Sequence, residues 1–234
     1  MAAKFKGFPK QMLRFFADLE RNNDREWFKA HKSSYEDFVL APAREYVEAM
    51  GARLQQEAPG IHAIPMVDKS IFRLHRDTRF SPDKRPFKTH IGIFLWEGEE
   101  DKLECPGFYL HLEKDKLIIG GGIHIFSKSL LECYRAAVDD EKSGKQLVKI
   151  MANGKQYFTN ELDSDVYKQV PRGYAKDHPR AELLKNKGLT LGQTTSVPEV
   201  LHTEGALAYV FERFAKMFPL HRWLKEMKTV YRET

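Results

Sequence analysis

Cysteine is scarce in this chain of 234 residues, and long apolar runs are absent. The two cysteines, Cys105 and Cys133, lack the CxxC spacing of metal and redox motifs, so we expect free thiols in a reducing compartment. No apolar run approaches the roughly 20 residues that span a bilayer, and the N-terminal segment lacks the apolar core of a signal peptide. We therefore predict a cytoplasmic protein without a membrane partner.

Motifs for cofactor and metal binding are also missing. The glycine run Gly120 to Gly122 fits neither G-x-G-x-x-G nor a P-loop, although this run and Gly92 leave room for a ligand or a close backbone. No two histidines have the spacing H-x-x-x-H or H-E-x-x-H, so a metal site built from His75, His111 and His124 has little support. We therefore expect neither a cofactor nor a metal ion.

The period of the hydrophobic pattern changes along the chain. Residues 9–60 repeat apolar side chains at helical spacing, and this spacing returns after residue 127. Between them, short aromatic and β-branched segments indicate strands, and E-K-D-K at 113–116 predicts a hairpin turn. Connections this short favour antiparallel pairing. The predicted strands are 68–77, 88–96, 107–113, 116–120 and 122–126.

These patterns predict an α+β fold in a single domain of residues 1–234. A central antiparallel sheet of about five strands, within residues 68–126, is expected to pack against an N-terminal helical layer (1–60). Residues 127–234 are expected to be mixed at first and then helical, and the C-terminal helices also pack on the sheet.

Several residues mark the ends of the predicted helices. Asn23 and Glu26 have the spacing of a capping box, and Ser127 is a predicted N-cap. Pro219 is expected to interrupt the last helical stretch. Residues 153–195 are rich in turn-forming residues, and no strand is predicted there.

Most of the formal net charge of +5 lies in residues 70–96, where six lysines and arginines face only Asp77 and Asp83. Arginine binds phosphate and carboxylate groups through two parallel hydrogen bonds, which predicts a site for an anionic small molecule. The alternative is that both aspartates pair with the cations and brace the loop, and the two interpretations are compatible. The predicted ligand-binding cations are Arg73, Arg76, Arg79, Lys84 and Lys88.

Strand alternation divides the side chains of the predicted sheet between two faces. Phe72 and Leu74 fall on the apolar face. Histidine titrates near neutral pH, so His111 with Tyr109 is the predicted acid–base pair, and His75 is a predicted ligand contact. The alternative is an ordinary solvated face. The second face is predicted to hold Arg73, His75, His90, Tyr109, His111 and His124.

The segment from Phe72 to Thr89 reads F-R-x-x-R-D-T-R-F-S-x-D-K-x-P-F-K-T. It resembles the signature of domain-of-unknown-function family 2461. The resemblance covers nearly the whole chain and implies one continuous domain in a soluble protein of bacterial or fungal type, but it implies no reaction. A matching block also contains Arg172 and His178, which we add to the predicted ligand-binding residues. Further matching blocks lie at 19–35, 106–112 and 171–189.

Two functions fit the basic stretch. The first is a binding domain or an enzyme for a small compound that bears phosphate or carboxylate groups. The second is a nucleic-acid-binding module that places the same cations on phosphates and stacks bases on Phe80, Phe87 or Tyr109, although no known binding motif is present. The sequence does not distinguish an enzyme from a binding domain, and it indicates no oligomeric state.

Overall fold

The computed structural model of the chain describes residues 5–158 and 165–231. It has an α+β architecture, in which helices accompany a five-stranded antiparallel sheet with the order β1-β2-β3-β4-β5. The predicted fold class is therefore confirmed. The strands are β1 Ile61–His62, β2 His90–Glu97, β3 Gly107–Glu113, β4 Lys116–Ile123 and β5 Leu189–Ser196.

Helices occupy both ends of the chain and the segment between β4 and β5. A π-helical turn, Glu36–Leu40, joins α3 to α4, and short 3-10 helices lie at Lys102–Glu104 and Glu199–His202. Within the described ranges, no helix combines the length and the apolarity that crossing a bilayer requires. The α-helices are α1 Lys10–Arg21, α2 Arg25–Ala30, α3 Lys32–Tyr35, α4 Ala41–Leu54, α5 Lys128–Asp139, α6 Glu141–Tyr157, α7 Ala181–Leu184 and α8 Ala206–Tyr231.

The residues form two compact units. The first consists of Met1–Leu95, Tyr109–Ile119 and Thr194–Arg213, and its core includes Phe16 and Tyr46. The second consists of Trp96–Phe108, Gly120–Gln193 and Phe214–Thr234, and its core includes Tyr134 and Trp223. The single domain predicted from the sequence stays a prediction.

The hairpin at the centre of the sheet follows the sequence pattern closely. Strand β3 has the predicted bounds, and β4 begins at Lys116 after a two-residue turn. The separate strand predicted at 122–126 is wrong, because β4 runs on to Ile123, and His124 and Ile125 beyond it are exposed.

The strand predicted at 68–77 is also wrong. This segment pairs only through isolated bridges, of Ile71 with Val67 and Ile93 and of His75 with Phe87. Asp68 has a φ of 64°, and its N–H donates to the Ile71 carbonyl at 2.8 Å, so the chain turns tightly where the strand was expected to begin. Regular alternation therefore does not hold along this segment.

Strand β5 lies in the stretch for which no strand was predicted. At Gly122, where φ is +133°, an added Cβ would lie 2.1 Å from the Leu189 carbonyl oxygen. Only glycine permits this approach of two backbones. The space at Gly122 is therefore filled by β5 and not by a ligand.

Helix ends differ from the prediction in two places. Asp24, not Asn23, caps α2, because its carboxylate accepts from the Trp27 N–H at 2.8 Å. Helix α8 continues through Pro219, since buried neighbours such as Leu220 stabilise it by amounts comparable to the ~3 kcal/mol that an interior proline costs. The predicted N-cap Ser127 is confirmed.

A basic pocket and a histidine row as candidate functional site

The first unit contains a pocket of about 370 Å³ beside the start of β2. Its wall combines three cations, one carboxylate, a hydroxyl, an imidazole and one apolar ring. It therefore offers mainly hydrogen-bond donors and positive charge to a ligand. The lining residues are Arg76, Asp77, Arg85, Phe87, Lys88, Thr89 and His90.

The two aspartates brace the loop, as the alternative interpretation expected. Arg79 binds Asp77 through Nε (3.0 Å to Oδ1) and Nη2 (2.6 Å to Oδ2). Asp83 accepts from Arg85 Nη2 at 2.7 Å and also from Arg76. The hydrogen bonds from Arg79 lower the pKa of Asp77 to about 2, and those from Arg85 and Arg76 hold the pKa of Asp83 well below its ordinary value. The bracing thus persists at all but strongly acidic pH.

Two of the predicted cations serve the loop and do not line the pocket. Lys84 is exposed and donates to the Thr78 carbonyl at 2.9 Å. Arg79 has a side chain that is 77% exposed and is held by Asp77. Asp83, by contrast, accepts hydrogen bonds from Arg76 and Arg85, which both line the pocket. One carboxylate therefore orients two guanidinium groups of the pocket.

Within the described part of the chain, Lys88 has no carboxylate in direct contact, although the charge of Asp68 acts on it from further away and opposes the lowering of its pKa. Among residues 5–158 and 165–231, neither Lys88 nor Arg73 has an ion-pair partner. The ammonium of Lys88 lies 5.7 Å from the ring centroid of Phe72. Burial lowers the pKa of Lys88, and repulsion by Arg73 and Arg76 lowers it further. The pocket therefore contains a half-buried cation whose charge an anion would stabilise.

The backbone beside Lys88 is fixed by contacts from α2 and from the connection between α1 and α2. Asn23 donates to the Phe87 carbonyl at 3.0 Å and accepts from its N–H at 3.0 Å. The buried ring of Phe87 stacks on Phe28 with centroids 4.3 Å apart. The position of Lys88 is thus set by its neighbour before any ligand binds.

Next to the pocket, three side chains of β3 and one of β2 form a row that we call the histidine row: Tyr109, His111, Glu113 and His90. The Tyr109 hydroxyl lies 3.1 Å from His111 Nδ1, and His111 Nε2 lies 2.8 Å from a Glu113 oxygen. The rings of His90 and His111 stack with centroids 4.0 Å apart. Residues two apart on a strand share a face, which explains the row.

The two histidines and the tyrosine of the histidine row are neutral near neutral pH. Burial lowers the pKa of His111, although Glu113 opposes this, and burial with repulsion by His111 lowers the pKa of His90 to about 3. Burial raises the pKa of Tyr109 to about 12. If His111 Nε2 donates to Glu113, then Nδ1 accepts from Tyr109, and the three groups form a continuous path for a proton.

Gly92 makes room for the row. A Cβ there would lie 3.0 Å from Tyr109 Oη and 3.1 Å from the Phe72 ring, so these side chains fill the space that the sequence left open for a ligand or backbone. The contact with Tyr109 also shows that the predicted placement of Phe72 on the apolar face, with Leu74, is wrong. Residues 68–77 pair only through isolated bridges, so their side chains do not alternate regularly between two faces.

Other predicted site residues do not line the pocket. His75 packs on Phe87, with centroids 4.9 Å apart, and does not join the histidine row. His124 lies beyond the end of β4 and is exposed. Arg172 and His178 belong to the second unit, where Arg172 is exposed and His178 Nε2 lies 3.1 Å from an Asp139 oxygen. Arg73 is exposed and does not line the pocket.

The sequence analysis did not name three residues of the site as functional, Arg85, Thr89 and Glu113, and it placed His90 on the second face without giving it a role. Arg85 and Thr89 line the pocket, Glu113 closes the histidine row, and His90 belongs to both. The spacing H-x-E at 111–113 on a predicted strand was the available signal, because it puts both side chains on one face.

The fold and this site define an α+β protein with a pocket lined by three cations and bordered by a partly buried histidine row. The chain belongs to the family described as "Conserved hypothetical protein (DUF2461)", which matches residues 11–223. The resemblance noted in the sequence is therefore confirmed. No curated protein matches the chain.

Proposed function

We propose that this protein binds a small anionic compound, bearing phosphate or carboxylate groups, in the pocket at Lys88. The observation that carries the proposal is the half-buried ammonium of Lys88, which lines the pocket without a carboxylate partner in the described part of the chain. Charges removed from water are stable only when they are paired, so an anion in the pocket would complete the arrangement.

The arginines support the same proposal. Arg76 and Arg85 are oriented by Asp83, which leaves their remaining N–H groups as donors of fixed direction. A volume of about 370 Å³ is near the lower end of the range for ligand pockets, which favours a small compound. Thr89 adds a hydroxyl that can donate or accept.

We propose further that Tyr109 and His111 act as the acid–base pair if the bound compound is a substrate. His90 contacts both the pocket and His111, so the histidine row borders the bound ligand. Tyr109 would act as a neutral donor, because its pKa is raised to about 12. Proton transfer between this pair and the bound compound would make the protein an enzyme, and without it the protein would be a binding domain.

A thermal-shift screen with inorganic phosphate, pyrophosphate, sugar phosphates and dicarboxylates tests the anion site. We expect at least one anion to raise the Tm of the wild type, and Lys88→Met and Arg76→Ala to reduce that rise strongly. Lys142→Met is the matched control, because Lys142 is an exposed lysine of α6 in the second unit. If no anion stabilises the protein, or if Lys88→Met behaves like Lys142→Met, the proposal fails.

One observation favours nucleic acid as a second candidate ligand. Phe80, in the basic stretch of residues 70–96, is 92% exposed, and the Arg79 guanidinium lies 5.7 Å from its ring centroid. An exposed ring beside a cation can stack on a base while the cation contacts phosphate. Binding of single-stranded RNA or DNA that weakens steeply with salt and is lost in Phe80→Ala would support this alternative, and no binding at low salt would remove it.

We also keep the cytoplasmic location as a proposal. Cys105 and Cys133 are buried and unpaired, as expected for a protein kept in a reducing compartment. Fractionation of cells that express the full chain tests it, and recovery from a secreted fraction would contradict it.

A further inference from the structure

Three metal-binding side chains converge at the histidine row. One ring nitrogen of His90, one of His111 and one carboxylate oxygen of Glu113 all lie within 4.8 Å of one another. We propose that these three residues bind a divalent transition-metal ion such as Zn²⁺. The proposal is independent of the anion site, because it would hold even if the pocket bound no anion.

The donor set suits such an ion. Two imidazoles and one carboxylate bind Zn²⁺ in catalytic sites and leave a coordination position open. Bonds of ~2.0–2.2 Å hold neighbouring donor atoms about 3 Å apart. His111 Nε2 and the Glu113 oxygen are already 2.8 Å apart, so mainly the half-buried ring of His90 has to turn its nitrogen inward.

The surroundings orient these donors. A metal-binding histidine usually donates its other ring N–H to an oxygen, and the Tyr109 hydroxyl lies 3.1 Å from His111 Nδ1 in that position. In that tautomer Nδ1 holds the proton and donates to Tyr109, so Nε2 would offer its lone pair to the metal in place of its hydrogen bond with Glu113. Lys116 lies 3.5 Å from Oε2 of Glu113, which leaves Oε1 as the ligand atom.

The metal site would change the part played by His111. Nε2 cannot hold a metal ion and a proton together, so in the metal-bound protein His111 would be a ligand and not a general base. Tyr109 would then be a positioning residue for His111. Because His90 also lines the pocket, an anionic compound bound there would lie next to the metal ion.

Calorimetric titration of untagged, chelator-treated protein with Zn²⁺ tests the proposal. We expect one ion per chain, and we expect His90→Ala and Glu113→Gln each to weaken binding by at least about tenfold. His124→Ala is the matched control, because His124 is exposed. Absence of Zn²⁺ binding by the wild type, or binding that neither substitution weakens, would overturn the proposal.

A second measurement uses the unmodified sequence and so does not depend on the folding of a variant. Addition of Co²⁺ is expected to shift the ring NMR signals of two of the nine histidines strongly. Shifts confined to other histidines, or no shifts, would overturn the metal site. Lys88→Met is expected to keep its Zn²⁺ binding, so a failure of the anion proposal would be recognised separately.

Discussion

Gly92 and Tyr109 fit together so closely that a single methyl group would disturb them. A Cβ at Gly92 would lie 3.0 Å from Tyr109 Oη, which is the atom that contacts His111. Glycine at this position therefore lets the histidine row form next to β2. The absence of a side chain at Gly92 in β2 thus permits the hydrogen bond between Tyr109 and His111 in β3.

Gly92→Ala is accordingly expected to lower the free energy of unfolding by about 1–3 kcal/mol, the usual cost of overpacking. Urea denaturation measures this. The double variant Gly92→Ala/Tyr109→Phe should lose less than the sum of the two single variants, because removing Oη removes the nearest clashing atom. Additive losses would show that Oη is not the group that Gly92 accommodates.

Asp83 is expected to protect the loop of residues 76–85 from cleavage by proteases. Asp83→Ala releases Arg76 and Arg85, so trypsin should cut the native protein faster after Arg79 and Lys84. Asp115→Ala, at an exposed turn residue, is the control and should leave that rate unchanged. Equal cleavage rates in both variants would mean that the ion pairs do not brace the loop.

The second unit contains a buried pair whose protonation should destabilise the fold in mild acid. His221 Nε2 lies 2.7 Å from Oε2 of Glu97, and the two residues are 2% and 6% exposed. Burial lowers the pKa of His221 from 6.5; Glu97 opposes this shift, whereas Lys225 and Arg222 add to it. The pKa of Glu97 is also lowered, because hydrogen bonds from Lys225 and His221 outweigh its burial.

Both shifts make the unfolded chain bind protons more readily than the folded protein, so stability should fall as the pH drops below about 6.5. His221→Gln removes one titrating group. Between about pH 6.5 and 5 the free energy of unfolding of this variant should therefore fall less steeply than that of the wild type, by up to ~1.4 kcal/mol per pH unit. Urea denaturation across that range measures the slopes. Parallel slopes for wild type and variant would contradict the shift at His221.

The sequence predicts those parts of the fold in which local pattern and tertiary structure agree. Strand β3 and its hairpin follow from regular alternation between turn residues, and this alternation also places Tyr109 and His111 on one face. Strand β5 could not be predicted in the same way, because it depends on close backbone contacts at Gly122 with residues far along the chain.

The choice between Asn23 and Asp24 as the cap of α2 shows the same limit. Both residue types cap helices well, so local preference does not separate them. In the structure the Asn23 side chain forms hydrogen bonds with the distant backbone of Phe87, and Asp24 caps the helix instead. The backbone at the pocket depends on that contact, which explains why the sequence identified the basic stretch and the lining residues Arg76 and Lys88 but not the rest of the lining.

The most direct test of the anion site is to locate a bound anion. Crystals soaked in tungstate, a tetrahedral oxyanion with a strong anomalous signal, should show a peak within about 4 Å of Lys88 Nζ in the wild type and none there in Lys88→Met. A wild-type pocket without a peak, tungstate bound only at exposed arginines such as Arg79, or a pocket peak that persists in Lys88→Met would contradict the account.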